Sequence, residues 1–586
     1  MIQFNKANIF RGIPAAPGIK IAEAFLFQKE VESVSDENIT DIEKAIENFN
    51  EALIKSKSEL NKVFSLAVDK LGAKRAALFE AQIMILDDPI LIDTIKKRIY
   101  DEKKNPEFIV SSELSKYQNM MSMSVEPYMK ERSLDIEDIK NRIIRNIKKK
   151  KWKSRITDEE IILVSNSLTP ADTVLFSRLK VTGYITNFGG LTSHAAIVAR
   201  SLNIPAVVGM HEATENIKNG DTVIIDGFNG IVVVNPDEEE LEFYRNKLKK
   251  LTQVDIELAK LRDLPATTLD GKRINIFANL DLKEEIELIV QNGAEGIGLM
   301  RTEQMFQEYD SFPSEEEQLS VYKENAQKIY PLPLTIRAFD IGGDKVLPVD
   351  VREPNPMLGW RGIRFLLDNK KLFKSQIRAV LKASVNKNIK FMIPMVASFK
   401  EIDLTKKMIE ECKTELRKEE INFDNHMEIG IMIEVPSAAL MIRDFAPEVD
   451  FFSIGTNDLI QYMLAVDRGN DIVSNQYQEF HPAIIRTLNF IISEAKKYDT
   501  KVTLCGEMAA DYKALPLLIG LGLDSISVSG SVIPHAKQII RALNFSEISE
   551  LANSWLKLKS EKEIHDEVNR FYFEKFGESS KEFYSN

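Results

Sequence analysis

In the second half of the chain, apolar residues come in short bursts: 274–280, 296–301, 334–340, 391–396, 429–435, 451–455, 502–507 and 525–529. Amphipathic stretches with helical spacing fall between most of them. Buried-strand signals alternating with helices over roughly 250–300 residues predict a closed (β/α)8 barrel. Upstream the period changes. Ile42, Ala45, Ile46, Phe49 and Leu53 follow the i, i+3, i+4, i+7 rule of an amphipathic helix. The helical pattern resumes over 76–86, breaks at Asp88-Pro89, and begins again at Leu134, so the region from about Asp36 to Lys150 is predicted all-helical. Residues 10–30 and 156–235 read instead as strands and turns, with Gly12, Pro14, Pro17 and Gly18 punctuating the first stretch. Residues 221–236 form two apolar runs across Gly227 and Gly230, the pattern of a hairpin. A charged helical run from Asp237 to about Asp263 then reaches Pro265 and reads as a linker. The fold class is multidomain α/β.

Length supports that division, since 586 residues exceed what one hydrophobic core holds. The net charge of −12 argues against general nucleic-acid binding and suits a basic partner. The basic run Lys148 to Lys151 reads as a solvated helix end, where cations suit the dipole. Cys412 and Cys505 are the two cysteines, too few for a disulfide framework. The opening Met1 to Lys6 has no apolar signal core, and no run approaches the ~20 residues of a membrane span. These features predict a cytoplasmic protein without membrane insertion.

Chemistry concentrates in two places. The first is Gly189-Gly190-Leu191-Thr192-Ser193-His194, ahead of a small-residue helix start. The glycines permit a tight backbone approach, and Thr192 and Ser193 can cap the helix. His194 would then lie in a first turn, where exposed amides and the helix dipole favour an anion. A lone histidine in such a turn is more often simply packed. This stretch and the apolar run through Val208, however, resemble the swivelling phosphohistidine domain of the phosphoenolpyruvate-utilising enzymes. The second place is the expected C-terminal rim of the barrel, where Arg301, Arg337, Glu434, Asn457, Asp458 and Cys505 end strand-like runs. Arg301, Arg337 and Arg468 offer guanidinium forks for carboxylate and phosphate oxygens. The plain alternative for each is pairing with a rim carboxylate. Glu434 and Asp458 supply hard oxygens that suit Mg²⁺. Cys505 is either a proton donor at neutral pH or a small buried hydrophobe.

Several long strings extend the resemblance, including Pro354-Asn355-Pro356-Met357-Leu358-Gly359-Trp360-Arg361 and Cys505-Gly506-Glu507-Met508-Ala509. In collinear order from about residue 10 to 545, the chain is similar to the Enzyme I family of the sugar phosphotransferase system. That resemblance implies a discontinuous swivelling domain at 1–35 and 151–236, a helical domain at 36–150 that docks the phosphocarrier HPr, a linker helix at 237–265, and a phosphoenolpyruvate-binding barrel at 266–586 that also forms a homodimer. It implies that His194 accepts the phosphoryl group and that Arg301, Arg337, Asn457, Asp458 and Arg468 hold phosphoenolpyruvate. It further implies Mg²⁺ on Glu434 and Asp458, with Cys505 protonating enolpyruvate. Two positions depart from the family's pattern: Leu191 stands where Arg is common, and Ala510 where Gly is usual. Pyruvate phosphate dikinase and phosphoenolpyruvate synthase share the swivelling and barrel parts but need an ATP-grasp domain, for which the residues before the swivelling module are too few. A non-enzymatic adaptor for HPr would predict a decayed rim. A nitrogen-related paralogue would carry a sensory domain ahead of the swivelling module.

Overall fold

The computed structural model describes residues 8–27, 34–71, 82–122, 127–149, 160–168, 172, 176, 180–190, 196, 199, 204–281, 285–309, 312–342, 353, 355–468, 470 and 473–577. The chain forms two compact units that divide between Lys250 and Leu251.

In the first unit, β1 (Ile9–Arg11), β2 (Ile13–Ala16), β3 (Ile19–Phe27), β4 (Ile161–Ser165), β5 (Val181–Thr186), β6 (Ala206–Val208), β7 (Thr222–Asp226) and β8 (Ile231–Val234) make one sheet. Its order is β1-β8-β7-β3-β4-β5-β6-β2. Strand β3 runs antiparallel to β7 and parallel to β4, so the start of the chain is built into the sheet of the later segment. β4 is buried along its whole length, which explains its nearly continuous apolar sequence, and β5 is buried at all but Thr182. β7 and β8 form the expected hairpin.

Between β3 and β4 lie the helices Ile42–Leu71, Pro89–Glu102, Pro106–Ser122 and Pro127–Ile147. They share a separate core that includes Phe49, Leu60, Ile95, Ile99, Ile109, Ile139 and Ile143. Asp88 caps the second of these helices by accepting from Ile90 N–H at 2.9 Å, and Pro89 occupies its first turn. The last of the four begins at Pro127 and not at Leu134, because a proline in the first turn starts a helix without any apolar period. Helix Glu238–Ala259 follows the sheet.

The second unit is a closed barrel of eight parallel strands: β9 (Asn275–Leu280), β10 (Ile297–Met300), β11 (Leu334–Arg337), β12 (Ile389–Ile393), β13 (Ile429–Ile433), β14 (Phe451–Ile454), β15 (Lys501–Leu504) and β16 (Ser525–Val528). All eight apolar bursts are strands, shifted by no more than a few residues. Closure is set by the β16–β9 pairing, with Ser525 opposite Asn275 and Val528 opposite Ala278. Leu299, Met392, Met432, Phe451 and Cys505 pack together as a small cluster of their own. Gly430 makes room there, since a Cβ at that position would stand 2.4 Å from the Phe451 ring. Among the described residues no helix is long and apolar enough to cross a membrane.

Candidate active site

Parallel strands deliver their last residues to one rim, and that is where the polar side chains of this barrel gather. Arg301 follows β10, Arg337 ends β11, Glu434 follows β13, and Cys505 follows β15. Asn457 and Asp458 sit in the first turn of helix Thr456–Leu464, immediately after β14. Gly506 lets the β15 loop lie against that turn, because a Cβ there would fall 1.8 Å from Thr456 Oγ1.

Each rim arginine is paired with carboxylate. Arg337 Nη2 donates to Glu303 Oε1 at 2.8 Å, and the same oxygen accepts from Asp340 N–H at 2.9 Å. Arg361 grips Asp340 with two prongs, Nε to Oδ1 at 3.2 Å and Nη2 to Oδ2 at 2.8 Å. Its Nη1 also donates to Asp458 Oδ1 at 3.3 Å and to the Tyr462 hydroxyl at 3.1 Å. Arg301 Nη1 donates to Asp281 Oδ2 at 2.9 Å. Arg468 Nη1 lies 3.6 Å from Glu507 Oε1, which accepts from Asn457 Nδ2 at 2.8 Å. Among the described guanidinium groups of the rim, one buried donor is left over: Arg337 Nε has no hydrogen-bond partner. A buried guanidinium N–H without an acceptor is costly, and an incoming anion would satisfy it.

The buried part of this network carries an excess of acid. Arg337 and Arg361 face Glu303, Asp340, Glu434 and Asp458, two cations against four carboxyl groups. The strain falls on Glu434, which is 1% exposed. Burial raises its carboxyl to about 7, and the charges of Asp458 and Asp340 add to the rise, while Arg337 and Arg361 oppose it. Glu434 Oε1 is fixed by Met395 N–H at 2.6 Å. Among the described residues no cluster of three or more His, Cys, Asp or Glu is arranged to hold a metal. Glu434 and Asp458 are close enough to interact by charge, and two such hard carboxylates fit a cation that completes its shell with further oxygens and water, which is the habit of Mg²⁺. A dication would also cancel the excess charge.

Cys505 Sγ accepts from Ser453 Oγ at 3.2 Å and donates to Ile454 O at 3.4 Å. Burial pushes its thiol upward, so the group holds its proton at neutral pH. It lines a cleft of about 330 Å³ together with Asn279, Asp281, Arg301 and Glu507. Asn279 Nδ2 donates to Cys505 O at 3.3 Å and its Oδ1 accepts from Ser527 Oγ at 2.7 Å, tying β9, β15 and β16 together beneath that cleft.

The rim thus brings together Arg301, Arg337, Glu434, Asn457, Asp458, Arg468 and Cys505. His194, with Leu191, Thr192 and Ser193, lies outside the described residues; nearby Ala196 and Ala199 are helical and buried. Ala510 lines the cleft. Reading the sequence for strand ends missed Arg361, the most connected cation of the rim, its acceptor Asp340, and Glu303, the acceptor of Arg337. Arg361 lies between the 3-10 turn Pro356–Leu358 and helix Ile363–Asp368, away from any strand end. Its signal was the string Pro354-Asn355-Pro356-Met357-Leu358-Gly359-Trp360-Arg361, which ends on the arginine itself.

Comparison with known proteins agrees with this architecture. Residues 255–545 match the PEP-binding domain of PEP-utilising enzymes, residues 11–132 their N-terminal domain, and residues 157–230 their mobile domain. A phosphoenolpyruvate-protein phosphotransferase of Staphylococcus epidermidis is 41% identical over 568 residues, covering 96% of this chain and 99% of that protein. One from Mycoplasma capricolum is 40% identical over 564 residues, covering 96% and 98%. A solution structure described as Enzyme I is similar at 37% identity, covers 42% of this chain and 99% of that chain, and has a TM-score of 0.37. With likeness of that extent across all three parts, the chain belongs to the PEP-utilising enzymes, in the family of phosphoenolpyruvate-protein phosphotransferases.

Proposed function

We propose that the protein transfers the phosphoryl group of phosphoenolpyruvate to its own His194 and then to a histidine of HPr, releasing pyruvate as the first step of the sugar phosphotransferase system. The observation that carries this reading is the buried Arg337 Nε without an acceptor, at a rim that also presents Arg301, Arg361 and Arg468. A small molecule with a carboxylate at one end and a phosphate at the other supplies the acceptors such forks match. Arg301, Arg337, Asn457, Asp458 and Arg468 hold the substrate. A ring nitrogen of His194 bonds to phosphorus as the P–O bond to the enol breaks, and the electron pair leaves on the enolate oxygen. Positioning and charge neutralisation supply most of the acceleration in such transfers. Bound Mg²⁺ on Glu434 and Asp458 would supply Lewis-acid neutralisation of the phosphate oxygens. The Cys505 S–H gives its proton to the terminal carbon of the enolate, and solvent restores the thiol.

The domain roles follow the same reading. The split domain of 1–35 and 151–236 carries His194, residues 36–150 dock HPr, helix 237–265 links, and the barrel of 266–586 binds substrate and dimerises. The compartment is the cytoplasm. The test is incubation with phosphoenolpyruvate, Mg²⁺ and purified HPr, followed by intact mass of both proteins. The expected result is an acid-labile phosphoryl mass on each, lost from both with His194→Ala. Labelling that persists in the variant and maps to His211 or His481 would overturn the assignment.

A further inference from the structure

The rim ion pairs are of two kinds. Arg337–Glu303 and Arg361–Asp340 are buried, and breaking either strands a charge in the protein interior. Arg301–Asp281 and Arg468–Glu507 face water, with the two side chains of each pair 37% and 35%, and 38% and 76%, exposed. Asp281 and Glu507 line the same cleft as Arg301 and Cys505. Water screens such pairs, so a more highly charged anion can replace the carboxylate at little cost.

We propose that Asp281 and Glu507 are resident counter-anions: they hold the donors of Arg301, Arg468 and Asn457, and the anionic groups of the substrate displace them. The proposal rests on the reading of this cleft as the phosphoenolpyruvate site. Backbone contacts separate occupying from orienting. Glu507 N–H donates to Asn457 Oδ1 at 2.8 Å, so Asn457 keeps its orientation when the Glu507 carboxylate leaves. Asp281 N–H donates to Glu285 Oε2 at 3.0 Å, a backbone contact that does not need the Asp281 side chain. Arg468 N–H donates to Gln461 Oε1 at 3.2 Å, again independent of Glu507. The consequence is that the exposed guanidinium charges of Arg301 and Arg468 are already balanced before an anion enters. Every anion entering the cleft must first release a carboxylate, which lowers affinity for ordinary phosphate and speeds departure of a product that has lost its phosphoryl group.

The experiment uses the full-length chain with His194→Ala, so that bound phosphoenolpyruvate is not consumed. Asp281→Asn, Glu507→Gln and the double variant are titrated calorimetrically with phosphoenolpyruvate and, separately, with inorganic phosphate, in the presence of Mg²⁺. Each single variant is expected to bind phosphoenolpyruvate about two- to fivefold more tightly, and the double variant more tightly than either, as expected for exposed pairs. Far-ultraviolet circular dichroism shows whether each variant is folded. Weaker or unchanged binding in folded variants overturns the proposal, since an orienting carboxylate gives the first result and a decorative one the second. Failure of the unsubstituted rim to bind phosphoenolpyruvate would reject the functional reading instead. The phosphate titrations then decide the counter-anions alone, by the same comparison.

Discussion

Substituting Glu434→Gln tests the acid excess of the rim directly. The carboxyl is raised from 4.5 to about 7 in the folded protein. Between those values the native state holds a proton that the unfolded chain has released, so native stability falls as pH rises through this window and levels off above it. The full penalty from this group is about 3 kcal/mol, most of which falls between pH 5 and pH 8. Glutamine cannot ionise, and its carbonyl oxygen still accepts from Met395 N–H. The variant should therefore gain on the wild type as pH rises. With a barrel of this size, that gain corresponds to roughly 5 °C in the difference of midpoints across the range.

The assay is thermal unfolding of both proteins in chelator at pH 5, 6, 7 and 8, followed by a barrel-sensitive signal. The absolute effect of the substitution is immaterial; the slope of the difference against pH carries the information. A difference that stays flat from pH 5 to 8 would refute the reasoning, because it would mean that Glu434 is already ionised and compensated in the native state. A difference that moves in favour of wild type with rising pH would refute it more strongly, since that is the sign of a lowered carboxyl.

Mg²⁺ binding at pH 7 should expel part of a proton from Glu434, visible as a dependence of the calorimetric heat on the ionisation enthalpy of the buffer; identical heats in all buffers would remove Glu434 from the metal site. Arg361→Met should cost about 3–5 kcal/mol of barrel stability by leaving Asp340 buried without its fork, whereas Arg468→Met, on an exposed pair, should cost under about 1 kcal/mol. Equal losses from the two, measured by denaturant midpoints, would dissolve the distinction between inner and outer pairs. Cys505→Ala should leave His194 able to take the phosphoryl group while slowing entry of solvent deuterium into the methyl group of pyruvate; unchanged deuteration would make Cys505 a packing residue.

The barrel was legible because parallel strands covered on both faces must be apolar almost throughout, and the helices between them must not be. Eight bursts were visible, and eight strands result. The rim positions at Arg301, Arg337, Glu434 and Cys505 were legible for the related reason that an apolar run ending in a charged or thiol group marks a strand end. Partnership was not legible. Arg361 meets Asp340 across 21 residues and Asp458 across 97, and no local period records which strand ends face one another around a closed barrel. The start of helix Pro127–Ile147 was hidden likewise, because Tyr128 to Ser133 offers no apolar repeat to a reader searching for one.

Inner and outer pairs together would let so acidic a rim serve the acidic substrate proposed for it. An inner layer of only arginines would bind anions tightly but would have to bury uncompensated cations, which costs more than the barrel could bear. Glu303 and Asp340 remove that cost and fix the guanidinium planes, and Arg337 Nε still lacks an acceptor. Glu434 and Asp458 then carry the acid balance past neutrality, which by itself would repel a phosphate. Cation and substrate therefore suit this rim as a pair: the excess carboxylate calls for a dication, and the dication with the unfilled guanidinium donor calls for the anion. Burial raises the Glu434 carboxyl, the charges of Asp458 and Asp340 raise it further, and a dication bound beside it would act in the opposite direction.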